Sequence, residues 1–139
     1  MSESPPFTHE LRVRYSECDA QGIVFNARWF EYFDVAMTEF WREAVGGYQH
    51  LPVKFGVETV VAETGARFRG AGRFDEVIEF AIMIPRIGTS SMRAEIVALR
   101  DGQPLVEGLI EYVFVDAREM TPVEIPDGVR AMLPTPAPA

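Results

Sequence analysis

Asp19 is the residue best placed in this sequence to do chemistry. It stands in a short polar loop, Tyr15-Ser16-Glu17-Cys18-Asp19-Ala20-Gln21-Gly22-Ile23-Val24-Phe25-Asn26, that runs directly into a helix-patterned segment. The first N–H groups of a helix have no intrahelical acceptor and carry partial positive charge. A carbonyl group set against them is polarised, and the oxyanion formed by attack on it is held. A nearby aspartate can attack that carbonyl itself or activate a water for the attack. The residues leave both roles open. They leave a plainer one open too, because aspartate is common in such loops as a turn or capping residue.

The neighbouring reactive groups read more blandly. Cys18 is the only cysteine, which excludes an internal disulfide and a cysteine metal cluster. A reactive thiol needs a histidine or a cation beside it, and neither His9 nor His50 is close in sequence. Glu17 could raise the pKa of Asp19 by like-charge repulsion, but it reads as solvent-facing. His9 falls in an alternating strand pattern and reads as structural. His50 follows the helix and reads as an exposed loop residue. No motif for a metal or for a nucleotide phosphate is present.

The elements that must position this loop follow from periodicity. His9, Leu11, Val13 and Tyr15 alternate with Glu10, Arg12 and Arg14, the period of a strand with one polar face. After the loop, Trp29, Phe33, Met37, Phe40 and Ala44 share one side, widened by Phe30, Ala36 and Trp41. Arg28, Glu31, Thr38, Glu39, Arg42 and Glu43 share the other. That is an amphipathic helix of about five turns, with Asn26 as N-cap and Gly46-Gly47 as its stop. Four strands follow. Val57 to Phe68 carries Gly65 as a possible bulge. Val77 to Ile84 is almost wholly apolar, as in a central strand covered on both faces. Met92, Ala94, Ile96 and Ala98 alternate with charges, and Asp101-Gly102 marks a tight hairpin. Val106, Gly108, Ile110, Tyr112 and Phe114 form the last inward row. A helical turn near Val129 to Leu133 closes the pattern.

This order implies an α+β fold, an antiparallel sheet packed on one helix. One helix covers only one face of such a sheet, so a second subunit is the economical cover for the rest. The chain has 139 residues, 47% hydrophobic and 24% charged, which fits one globular domain. We place it at 7–133, with loose tails at 1–6 and 134–139. A net charge of -8 argues against nucleic acid, since phosphate binding needs concentrated Lys and Arg. Lys54 is the single lysine among 13 basic residues; arginine suits bidentate phosphate contact to a small anion. With no apolar run of membrane-spanning length and no signal-peptide layout, cytoplasm is the expected location and no membrane insertion is expected.

The segment Asp19-Ala20-Gln21-Gly22-Ile23-Val24-Phe25-Asn26-Ala27-Arg28-Trp29-Phe30-Glu31-Tyr32-Phe33 resembles the signature of hotdog-fold acyl-CoA thioesterases of the 4-hydroxybenzoyl-CoA thioesterase type. There an Asp, two variable residues, a Gly, two aliphatics and an aromatic run into the long helix. The likeness continues through Asp34, Ala36 and Glu39, and more weakly through Arg86 to Ser91 and Glu107 to Asp116. The resemblance implies a five- to six-stranded antiparallel sheet wrapped around one long helix. It implies hydrolysis of an acyl- or aroyl-CoA, with Asp19 catalytic and the backbone N–H of Asn26 polarising the thioester. The Asn26 position is often His or Tyr in relatives. Gly22, Phe25 and Ser91 match positions beside the ligand. Some relatives grip the CoA phosphates with consecutive basic residues where this chain has Gly88-Thr89-Ser90, leaving Arg86 and Arg93 as flanking substitutes. No cofactor is implied, coenzyme A being part of the substrate, and the assembly implied is a homodimer or homotetramer. Two other readings compete: a hotdog hydratase or dehydratase, which commonly needs a His, and a non-catalytic acyl-CoA-binding accessory dimer.

Overall fold

In the computed structural model, residues 6–134 are described, and the tails expected at 1–6 and 134–139 lie outside them apart from Pro6 and Pro134. The alternating segment at the start forms β1 (Phe7–Arg12). It ends sooner than its alternation suggests. Tyr15–Glu17 turn as a single 3-10 unit, because the Glu17 side chain accepts the Arg14 N–H at 2.7 Å and folds the chain back. The long helix is α1 (Arg28–Val45). It stops at Gly46, whose φ of +83° is left-handed and whose N–H reaches back to the carbonyls of Trp41 and Arg42, the glycine stop that the sequence predicts.

Four strands follow: β2 (Val57–Phe68), β3 (Val77–Ile87), β4 (Ser91–Arg100) and β5 (Gln103–Asp116). They join β1 in one antiparallel sheet of order β1-β3-β4-β5-β2. Asp101 and Gly102 both take positive φ, 50° and 78°, which matches the right-handed twist of the strands they connect. The sheet lays Ile78, Phe80 and Ile82 of β3, Met92, Ala94, Ile96 and Ala98 of β4, and Val106, Ile110 and Phe114 of β5 against α1. This is the hotdog arrangement, one long helix cradled by a five-stranded sheet.

Several expectations are corrected. Asn26 is not the N-cap; the cap position is Ala27, with no side-chain hydrogen bond. Tyr32 is buried in the helix stripe, whereas Phe30 is 37% exposed. Gly65 pairs regularly with Leu109, and the β2 bulge lies between Val61 and Glu63. β3 runs on to Ile87, with Pro85 placed where its register with β4 shifts, a position that tolerates the missing N–H. The outer residues of β3, such as Glu79, Ala81 and Met83, are only partly covered. A short helix, α2 (His50–Phe55), replaces the loop expected after Gly47. His50 is half-buried there, with Nδ1 2.8 Å from the Val45 carbonyl. The closing turn is α3 (Asp127–Met132). No described helix is long and apolar enough to cross a membrane.

Helix and sheet approach closely at Gly108. A Cβ there would sit 2.5 Å from the Phe33 ring, while a Cβ at Gly65 would meet nothing within 4 Å. Gly108→Ala is therefore expected to overpack the core and cost about 1–3 kcal/mol. Gly65→Ala should stay within about 0.5 kcal/mol of the parent or stabilise it slightly. Urea denaturation of the two variants side by side measures the contrast.

Candidate active site

The loop between β1 and α1 folds as a small hairpin. Its arms are 17–19 and 23–25. Phe25 N–H donates to the Glu17 carbonyl at 3.0 Å, Asp19 N–H donates to the Ile23 carbonyl at 2.9 Å, and Cys18 and Val24 form the bridge between them. Gly22 N–H closes the tip on the Asp19 carbonyl at 2.9 Å. Gly22 has φ +79° with open space around it, so glycine serves the turn here without steric cost. The outer arm is tied down as well. Val24 N–H donates to the Gly72 carbonyl at 2.8 Å, and Ile23 bridges to Arg73.

Asp19 is half-exposed at the tip. One carboxylate oxygen accepts the Gln21 N–H at 2.8 Å, the side-chain turn that aspartate makes in such loops. Its other oxygen has no protein partner among the described residues. The turn role thus occupies half of the carboxylate. Asp19 lines an open cavity of about 570 Å³ together with Tyr15, Ser16, Cys18, Gly22 and Phe74. Tyr15 and Phe74 were not singled out by sequence. They meet edge to face, with ring centroids 5.7 Å apart, although both are largely exposed.

The base of the hairpin holds a second unforeseen feature. Glu17 does not face solvent; it is 5% exposed and is the one buried charged residue among those described. Its carboxylate accepts the Arg14 N–H at 2.7 Å, Arg14 Nε and Nη2 at 3.0 and 2.8 Å, and the Tyr32 hydroxyl at 2.7 Å. Burial alone pushes a carboxyl up. Here the Arg14 N–H, the Arg14 guanidinium and the Tyr32 hydroxyl outweigh it and hold Glu17 below the usual carboxylate range. Burial and the adjacent carboxylate push the Tyr32 hydroxyl well above the usual phenol range. Two signals pointed this way in the sequence: the Arg14-to-Glu17 spacing of three, and the place of Tyr32 one turn from Trp29 on the apolar stripe.

Where the hairpin hands over to α1, Phe25 is 48% exposed and Asn26 is exposed. The Asn26 carbonyl accepts the Trp29 N–H at 3.3 Å, and the Phe25 carbonyl accepts the Arg28 N–H at 2.8 Å. Neither the Asn26 N–H nor the Ala27 N–H has a protein acceptor among the described residues, so both stay available to a ligand. Cys18 is half-buried, its thiol 3.9 Å from the Arg14 carbonyl.

Asp19, Gly22, Phe25 and Asn26 come together on one hairpin. Arg86 and Ser91 do not join them within one chain. β3 starts beside the hairpin, where Asp75 N–H reaches the Val13 carbonyl, and Arg86 lies at its far end. At 3.2–3.4 Å per residue that is a separation of about 30 Å. Arg86 pairs with Glu111, and Arg93 reaches the same carboxylate at 3.1 Å and Glu95 at 3.4 Å. Ser91 opens β4, its carbonyl accepting the Gly88 N–H at 2.7 Å. Among the described residues, no three His, Cys, Asp or Glu side chains group as metal ligands.

Residues 13–133 match the family model described as the thioesterase-like superfamily. The acyl-CoA thioesterase YbgC of Haemophilus influenzae is 26% identical over 125 residues, 90% of this chain and 92% of that protein. Among solved structures, a thioesterase superfamily protein of Jannaschia sp. CCS1 aligns with a TM-score of 0.86 at 23% identity over 95% of each chain. A hypothetical protein of Aquifex aeolicus aligns with a TM-score of 0.86 at 24% identity, covering 92% of this chain and 99% of its own.

The Glu17 network sets a pH signature. Because the folded carboxyl titrates below its unfolded value, its stabilisation is complete above the unfolded value, about pH 4.3. It is lost as pH falls through the folded value. Glu17→Gln should cost about 1–3 kcal/mol at pH 7, where buried donors lose an acceptor. The gap from the parent should narrow below about pH 4. Urea denaturation of parent and variant at pH 7 and pH 3 reads it directly.

Proposed function

The chain belongs to the thioesterase-like superfamily, and on that premise we propose that it hydrolyses an acyl- or aroyl-CoA thioester to the free acid and coenzyme A, with Asp19 as the catalytic carboxylate. The observation that carries this reading is the hairpin itself. Among the described residues, it holds a carboxylate with one uncommitted oxygen at the wall of a cavity, and its own exit presents two N–H groups without acceptors. The thioester carbonyl oxygen sits toward the N–H groups of Asn26 and Ala27, which stabilise it as it becomes an oxyanion. In one route Asp19 attacks the carbonyl carbon, expels the CoA thiolate and leaves a mixed anhydride that water then cleaves. In the other, Asp19 takes a proton from water, the hydroxide adds to the carbonyl, and the tetrahedral intermediate expels the thiolate. Gly22 and Phe25 border the substrate in either case. A hydratase reading is less well served, since the lining of the cavity contains no histidine.

The site is completed by a second copy. Arg86 and Ser91 lie too far along β3 and β4 to reach Asp19 in their own chain, so in this reading they come from the partner. The surface supports such pairing. β2 is an edge strand of the sheet, and Val61 and Phe68 on its helix-side face are 54% and 49% exposed, with Phe30 of α1 also uncovered. An open edge beside uncovered apolar side chains is what a second chain buries.

Asp19→Asn keeps the shape and the Gln21 contact but removes the charge and basicity. Turnover on the best acyl-CoA of a panel, followed by free-thiol release, should fall by at least about 10³-fold with the melting temperature nearly unchanged. Retained turnover would remove Asp19 from the mechanism. Sedimentation at micromolar concentration should show a species of at least twice the 15.6 kDa chain mass; a lone monomer that still turns over substrate would dismiss the shared site.

A further inference from the structure

We infer that Glu17 is a positioning residue for Asp19, acting through the hairpin that both residues share. The inference rests on the reading of Asp19 as the catalytic carboxylate and adds to it the group that fixes where that carboxylate stands.

The chain of contacts is short. The Glu17 carboxylate is fastened on one side to the end of β1, through the N–H and guanidinium of Arg14. On the other it is fastened to the first turns of α1, through the Tyr32 hydroxyl. Tyr32 is enclosed in its turn: it is 2% exposed and packs edge to face on Trp29 and Phe80, with centroids 5.3 and 5.9 Å away. The backbone of Glu17 then carries the constraint outward. Its carbonyl accepts the Phe25 N–H at 3.0 Å, which sets the hairpin register. Two residues along, the Asp19 N–H meets the Ile23 carbonyl at 2.9 Å. One anchor therefore fixes both functional ends of the hairpin, the carboxylate at its tip and the free N–H groups at its exit. If that anchor slips, the attacking group and the oxyanion donors move relative to each other. Catalysis is sensitive to such slippage, since misplacement by about 1 Å costs on the order of 10²-fold in rate. A surface glutamate does none of this; burial with four donors gives Glu17 one arrangement instead of many.

Glu17→Gln preserves size but offers one acceptor oxygen where the network uses two. Tyr32→Phe removes only the bond to the helix. Val129→Ala, a cavity in α3 away from the hairpin, serves as a stability control. Each variant is assayed by free-thiol release for kcat and KM, well below its own melting temperature. The expected result is that kcat falls about tenfold or more in Glu17→Gln and several-fold in Tyr32→Phe, with KM within threefold in both and kcat unchanged in Val129→Ala. Should Glu17→Gln fail to fold, Tyr32→Phe decides alone by the same split. Two results overturn the inference: kcat within threefold of the parent in the folded network variants, or losses that track melting temperature equally across all three. Asp19→Asn separates the layers. An inactive Asp19→Asn beside an active Glu17→Gln rejects positioning alone, while an active Asp19→Asn rejects the catalytic reading and the positioning with it.

Discussion

The contact on which the rest of the candidate site depends is the carboxylate of Glu17 against the Tyr32 hydroxyl, 2.7 Å apart and out of water. Burying a charge is costly unless it is paired and fully hydrogen-bonded. Here the cost is met by the Arg14 N–H and guanidinium on the remaining lone pairs. Arg14 itself stays largely in solvent, so its guanidinium keeps much of its hydration while its backbone does the buried work. An apolar residue in place of Glu17 could fill the same space. It could not specify the angle between β1, the loop and α1, because apolar contacts are not directional. The network is better understood as a source of geometry than of stability.

That geometry needs a rigid partner, which the helix–sheet interface supplies. Phe80 of β3 receives Trp29, Tyr32 and Phe33 within 5.9–6.3 Å of its ring centroid, and Gly108 of β5 lets the Phe33 ring approach the backbone. A flat sheet could not wrap an 18-residue helix in this way. Irregularities of register occur in β2, between β3 and β4, and between β4 and β5. Such bulges raise the local twist and bend the strand. The tyrosine that anchors the loop is therefore held by the same rings that hold the helix in its cradle.

Much of this fold was legible in the sequence because it rests on periodicity. The stripe from Trp29 to Trp41, the inward rows of β4 and β5, and the Asp101-Gly102 turn are local patterns with local causes. What was not legible depends on tertiary partners. β1 looked longer because Val13 and Tyr15 keep the alternation, but the Glu17 carboxylate three residues on, held in place by Tyr32, captures the Arg14 N–H. Asn26 looked like a cap by type, yet the helix begins later and its side chain caps nothing. Glu17 looked like a solvated charge because its partner Tyr32 lies fifteen residues on, across the hairpin. Asp19 was legible as a candidate from its place before the helix. Its half-occupied carboxylate, and the aromatic pair Tyr15 and Phe74 beside it, needed the folded chain, because residues 74 and 15 meet only once β3 has paired with β1.

Charge sets the last constraint on how such a site can meet its ligand. A chain of net charge -8 offers no general attraction to a polyanionic thioester, and fields from distant residues are damped within about 8 Å at physiological ionic strength. Binding must then rest on cations close to the ligand, and most arginines are already engaged. Arg86 and Arg93 share Glu111, and Arg93 also meets Glu95. Arg130 is turned to the carbonyls of Gly88 and Thr89. An anion arriving at the β3–β4 hairpin must compete with two carboxylates for two guanidinium groups, and the pairs are near neutral as a set. Arg73 differs. It is exposed, makes no ion pair among the described residues, and bridges to Ile23 beside Phe74 in the cavity wall. Arg73 thus places one exposed cation next in sequence to Phe74 of the Asp19 cavity, on the segment that the hairpin bridges to.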